Sequence, residues 1–281
     1  TSINPDLNTQ LICGIEDGLV GRWDVIEGIW EWALQQRMGC GDTKHPVLLA
    51  ERAFNQPTIR QKMCEVWFEK FESPALFISR DSVLSCYACG RTTGLVADVG
   101  GAGTTVCPVF DGWADSKGIM RSQIGGRIID AYLLSLVESK HSVKIRARHK
   151  GRELAVPAHP SHAAYLHLEV GRDIKEAAAR IADVPLDPLD PRFANVPTTQ
   201  YTLPDGNTIG LGVERFQAGE VLVNSAPLLE AQQAASSGNP PPHGQALSQL
   251  LAGSPPLTPL PRLLIEAVQR SDRDQQSGLL N

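Results

Sequence analysis

An α/β fold is the class this sequence predicts, on three observations. Apolar stretches with helical periodicity alternate with short apolar runs of strand length, a glycine-rich turn joins two β-rich runs at residues 99–103, and the composition is that of a globular chain. With 281 residues, 42% of them hydrophobic and 20% charged, the chain can bury one large core or two smaller lobes.

The first helix is predicted from Val25, Ile26, Ile29, Trp30 and Ala33, with Asp24 as its N-cap. Pro57 opens a second, in which Ile59, Met63, Val66, Trp67 and Phe71 share one face. Between them, 46–50 (PVLLA) suits a buried strand; 75–79 suits another, and 81–89 a helix. Two β-rich runs, 94–98 and 104–110, are joined by Val99, Gly100, Gly101, Ala102 and Gly103, a hairpin able to cradle a phosphate. Helices are expected over 126–137 and 162–181, with a basic polar stretch between them and an irregular proline-rich segment, 185–197, after them. Asp205 and Gly206 signal a hairpin turn within 201–211. The Ala-, Ser-, Gln-, Gly- and Pro-rich stretch 226–261 is expected to be a poorly ordered insertion, followed by a short helix over 263–270.

Charge and cysteine usage narrow the function classes. A formal net charge of -5 gives no global basic field for gripping a phosphate backbone. Six cysteines without the spacing of a disulfide scaffold point to a reducing compartment. No apolar run reaches the ~20 residues of a membrane span, and the polar opening TSINPDLNTQ has no signal-peptide core. A soluble chain with no membrane partner is expected.

Four ordered segments resemble actin: 15–30 (IEDGLVGRWDVIEGIW), 45–55 (HPVLLAERAFN), 82–98 (SVLSCYACGRTTGLVAD) and 201–216 (YTLPDGNTIGLGVERF). The resemblance implies an actin-like two-lobed ATPase fold with ribonuclease H-like halves. It divides the chain into 1–88 as the remainder of subdomain 1, 89–124 as the first part of subdomain 3, 125–229 as subdomain 4, and 230–281 as the return of subdomain 3. It also implies an incomplete domain, lacking the family's first phosphate loop before Thr1 and its adenine-covering turn after Asn281. Segment 196–206 (VPTTQYTLPDG), with His162 and Tyr165 leading a long helix, is similar to the nuclear actin-related protein 4 branch.

That resemblance implies ATP with Mg2+ or Ca2+, and a site for them. Asp98 matches a metal-facing Asp of the family, although a strand-end turn Asp is the plainer reading of the residue alone. Gly101, Ala102 and Gly103 would offer amides to the phosphates, against the alternative of an ordinary hairpin turn. Arg172, Lys175 and Glu176, at i, i+3 and i+4, would flank adenine and ribose, or else form a solvated salt-bridged face. Gly126 would admit backbone close to the ribose. Asp81 and Thr105 stand where actins orient the attacking water with Gln and His. Thr105 cannot replace an imidazole, so slow hydrolysis is expected. Asp81 would act as base or metal ligand, or else cap a helix.

The basic run Lys144, Arg146, Arg148, His149, Lys150 and Arg152 reads as a solvated loop, with a localisation signal or a local DNA contact as the alternatives. Cys86 and Cys89 lack the second pair that zinc needs and read as buried thiols. Trp30, Trp32 and Trp67 read as core or partner-facing anchors. The implied function is a non-polymerising structural subunit of nuclear chromatin-remodelling or histone-acetyltransferase complexes, with actin and a helical segment of a remodeller ATPase or acetyltransferase scaffold as partners and chromatin contacted indirectly. The implied compartment is the nucleus, with the cytoplasm second. The alternative is an active, polymerising ATPase.

Overall fold

The computed structural model describes residues 10–40, 45–142, 145, 159–186, 193, 196–237, 244–252 and 257–279. They fall into two compact units. One comprises residues 12–99, 104–121 and those from 262 onward; the other comprises 10–11, 100–103 and 122–261.

The first unit opens with a small antiparallel hairpin, β1 (Ile15–Glu16) and β2 (Leu19–Val20), turning at Asp17 and Gly18, both at positive φ. Helix α1 (Trp23–Trp32) runs on into a π-helical turn, Ala33–Arg37. Asp24 does not cap it: Arg22 is the N-cap residue, and Asp24 lies in the first turn with its carboxylate 2.6 Å from the Arg22 guanidinium. A neighbouring arginine took the side chain that the cap reading had aimed at backbone amides.

Strand β3 (Val47–Glu51) pairs in parallel with β4 (Leu76–Arg80), from Val47↔Leu76 to Glu51↔Arg80. Parallel neighbours need a crossover, and α2 (Pro57–Glu65), prolonged by the π-helical turn Val66–Lys70, supplies it. Pro57 occupies the first helical turn, where its missing N–H costs nothing. Val66, Trp67 and Phe71 are buried, and Trp30 of α1 stacks on them with ring centroids 5.3 Å from Trp67 and 6.4 Å from Phe71. Trp30 and Trp67 are thus core anchors, whereas Trp32 is partly exposed beneath the Arg37 guanidinium.

Helix α3 (Asp81–Ala88) follows β4 directly and packs on the antiparallel pair β5 (Gly94–Val99) and β6 (Thr104–Phe110). Short strands β7 (Trp113–Ala114) and β8 (Met120–Ser122) also pair with β6. Ala53, Val83, Cys86, Cys107 and Val109 make the core beneath. Burial pushes the Cys86 and Cys107 thiols up, as expected of inert core cysteines. Cys89 departs from the sequence reading: it sits at the C-cap of α3 and is exposed.

The second unit is built around α4 (Gly126–His141), a helix buried on most of its circumference. Against it lie α5 (Pro160–Ala178), the hairpin β9 (Thr199–Thr202) and β10 (Thr208–Leu211), and α6 (Glu214–Glu220). The predicted turn at Asp205 and Gly206 closes that hairpin, with Asp205 accepting from the Asn207 amide.

The stretch 226–261 overturns the expectation of a poorly ordered insertion. It contains α7 (Ala226–Ser236) and α8 (Gln245–Leu251), and Leu228, Leu247, Leu251 and Leu257 are fully or almost fully buried in the core around α4. Composition hid this because a few leucines among Ala, Gln and Ser suffice when Leu228, Leu247, Leu251 and Leu257 point inward. Helix α9 (Leu260–Arg270) matches the short helix expected near 263–270, and α10 (Arg273–Leu279) packs against β5 and β6. The basic run lies outside the described residues, as does most of 185–197.

Candidate functional site

The glycine loop between β5 and β6 belongs to the second unit, where it seals the start of α4. Gly126 N donates to Gly100 O at 2.9 Å and Arg127 N to Gly101 O at 3.0 Å, so loop carbonyls satisfy the first orphan amides of the helix. Gly100 N donates to Gly103 O at 2.9 Å and closes the turn. With the carbonyls turned toward the helix, the amides of Gly101, Ala102 and Gly103 donate to no acceptor among the described residues, and Gly101 and Ala102 are exposed.

Close approach dictates glycine at two places in this arrangement. A Cβ at Gly103 would fall 2.5 Å from Ser122 O, and one at Gly125 would fall 2.5 Å from Gly103 N and 2.6 Å from Gly100 O. These are backbone atoms that cannot swing aside. Three successive amides without an acceptor leave the turn with donors to offer an anion.

The predicted trio on α5 divides. Lys175 Nζ turns inward, 2.7 Å from Asp130 Oδ1 on α4 but off the line of a good hydrogen bond, and donates to Gly126 O at 3.4 Å. Burial pushes the Asp130 carboxyl up, and Lys175 opposes that shift. Gly126 leaves room for this ammonium, which would lie 3.3 Å from a Cβ there. Arg172 instead pairs with Glu169, and with Glu176 at 3.9 Å, along an exposed helix face. Lys175 is therefore brought to the loop-bearing end of α4, while Arg172 and Glu176 form a solvated ladder. Tyr201 donates its hydroxyl to Asp173, and burial together with that carboxylate pushes the phenol up.

In the first unit, Asp81 and Asp98 come together around a residue that sequence reasoning missed. Arg52 Nη1 donates to Asp81 Oδ2 at 3.1 Å and to Asp98 Oδ2 at 2.5 Å. Asp81 Oδ1 accepts from the amides of Ala53 at 3.0 Å and Ser82 at 2.7 Å, which fills both its lone pairs. Burial opposes the charge on Arg52, but Asp98 and then Asp81 raise its affinity for the proton. Thr105 is buried directly opposite Asp98 in the β5–β6 ladder.

No sequence motif marks Arg52; the pairing of the two strands does. The register Glu51↔Arg80 makes Arg52 and Asp81 the next residues after the ends of two parallel neighbours, and the carboxyl ends of parallel strands are where α/β sheets hold ligands. The guanidinium of Arg121 lies 3.5 Å from the Phe54 ring centroid and that of Arg52 5.9 Å from it. Arg121 also donates to Asp17 O at 2.8 Å, and burial together with Arg52 lowers its proton affinity despite Asp17. Among the described residues, no group of three or more His, Cys, Asp or Glu side chains is gathered to hold a metal.

The family description "Actin" matches residues 2–281. The chain belongs to the actin family. Among curated relatives, this actin-family chain is 37% identical to Actin-related protein 4 of Arabidopsis thaliana over 76% of its length and 51% of the relative's. It is 35% identical to Actin-related protein 4 of Oryza sativa subsp. indica over 97% of its length and 60% of the relative's. Actin-like protein 7A of Mus musculus is 32% identical over 78% of the chain and 45% of that protein. The chain thus spans about half to three fifths of the relatives it matches. Membership establishes the α/β actin-like fold expected from the four segments.

The family binds nucleotide with a divalent cation. The amides of Gly101, Ala102 and Gly103, which have no acceptor among the described residues, could donate to the phosphates of such a nucleotide. The carboxylates of Asp81 and Asp98 do not fit a directly bound metal, because a guanidinium nitrogen lies between them. Among the described residues, no helix is long and apolar enough to cross a membrane.

Proposed function

We propose that the chain is the nucleotide-holding part of an actin-related, non-polymerising structural subunit of nuclear chromatin-remodelling and histone-acetyltransferase complexes, in which ATP is a structural ligand hydrolysed slowly or not at all. One observation carries the ATP reading: Gly100 and Gly101 spend their carbonyls on the start of α4, while the amides of Gly101, Ala102 and Gly103 are left without an acceptor among the described residues. Weak hydrolysis is supported by Thr105, which has no imidazole, and by Asp81, whose Oδ1 lone pairs are taken by two amides. The reading assigns Mg2+ or Ca2+ no direct ligand, since Arg52 engages both candidate carboxylates.

The structural role draws on the two plant relatives, whose name is Actin-related protein 4. On this reading the partners are actin and a helical segment of a remodeller ATPase or acetyltransferase scaffold. A net charge of -5 favours contact with chromatin through those partners over direct contact. Fluorescent mant-ATP binding with no phosphate release above buffer, measured on the same preparation, is the expected result. Turnover that Asp81→Asn abolishes would sink the proposal.

A further inference from the structure

We infer that Arg52 is a resident cation, holding between Asp81 and Asp98 the position a divalent metal would otherwise take, so that the cluster takes up no divalent ion as it stands and gains a metal site when Arg52 is removed. The placement is specific. A single nitrogen, Nη1, contacts both Oδ2 atoms, at 3.1 Å and 2.5 Å, as a bridging cation would. The three side chains are partly sheltered, at 30%, 28% and 44% exposure for Arg52, Asp81 and Asp98.

The arginine is held there from several sides. It leaves the end of β3 in register with Asp81 beyond β4, and its neighbour Ala53 donates its amide to Asp81 Oδ1. Its guanidinium lies above the Phe54 ring, whose centroid has the Arg121 guanidinium 3.5 Å away. Arg121, donating to Asp17 O, adds a second positive charge nearby. A divalent ion entering this cluster would have to expel one guanidinium and sit close to another, and both changes oppose it electrostatically.

Without Arg52, Asp81 and Asp98 would lose the cation that lies between them and repel one another. That pair would be relieved by a divalent cation, with which carboxylates are well matched. The loss should therefore show as destabilisation that metal reverses.

The test needs no nucleotide. Thermal melts and Mn2+ titrations followed by electron paramagnetic resonance are run on the wild-type protein and on Arg52→Gln. The wild-type protein is expected to show no saturable Mn2+ at this cluster and an unchanged melting temperature. Arg52→Gln is expected to melt lower in EDTA, to regain stability in millimolar Mn2+, and to take up one ion that a further Asp98→Asn change abolishes. Saturable Mn2+ in the wild type that Asp98→Asn removes overturns the inference without any need for the Arg52 variant to fold. A folded Arg52→Gln that ignores Mn2+ overturns it equally.

Discussion

Single atoms decide much of this molecule's behaviour. The loop of residues 100–103 depends on Gly125, where a Cβ would press to 2.5 Å on Gly103 N. Gly125→Ala should cost about 1–3 kcal/mol through overpacking against backbone. It should also weaken mant-ATP binding more than Gly101→Ala, because a Cβ at Gly101 meets nothing within 4 Å. Denaturant unfolding and fluorescence titration of the two variants provide the comparison. Glu214 offers a pH test. Burial would push its carboxyl up, but Lys140, with Nζ 2.6 Å from Oε1, and the amides of Glu214 and Gly212 bring it below its ordinary value of 4.5. A carboxyl depressed in the folded state contributes stability that is full above its unfolded pKa and disappears as pH falls through the folded one. The gap in unfolding free energy between wild type and Glu214→Gln should be about 1–3 kcal/mol at neutral pH. It should close below pH 4.5, as acid titration of both proteins would show.

Elements were legible in the sequence where periodicity and punctuation agreed. Pro57 before a helix-spaced apolar face, the glycine turn between β5 and β6, and the Asp205–Gly206 hairpin all correspond to observed elements. The misses have physical causes. Asp24 looked like a cap because nothing in its own spacing reveals that Arg22 would engage it. The segment bearing α7 and α8 looked disordered because average composition discards phase: Leu228, Leu247 and Leu251 are few, yet each is at most 2% exposed. The α5 trio looked like one functional face, but Asp130 on another helix drew Lys175 out of it. Arg52 escaped notice because a lone arginine after a strand carries no motif, and only the β3–β4 register aligns it with Asp81. If α7 and α8 are core elements, Leu228→Ala and Leu251→Ala should each cost about 2–5 kcal/mol in equilibrium unfolding. Serine or alanine replacement of the exposed Gln233 should cost almost nothing. An insertion outside the core would show no such contrast.

At the scale of the whole molecule, the chain passes repeatedly between its two units, and the short loop 100–103 is assigned to one unit while the strands that carry it belong to the other. A ligand held by that loop binds only when the start of α4, Ser122 and the loop are all in their folded places, since the loop's geometry is made by those backbone contacts. The unfolded chain offers no such set of amides. ATP should therefore stabilise the folded protein by mass action, by about 2.7 kcal/mol when its concentration is a hundredfold above Kd. For a chain of this size that corresponds to a rise in melting temperature of about 5 °C or more. Inorganic phosphate, lacking the base and sugar, should need far higher concentrations for the same rise, and Gly125→Ala should blunt the response to ATP. Melting curves across micromolar to millimolar ATP measure this directly. A melting temperature that stays flat while Gly125→Ala still lowers it would make the loop a structural seal for α4 and nothing more.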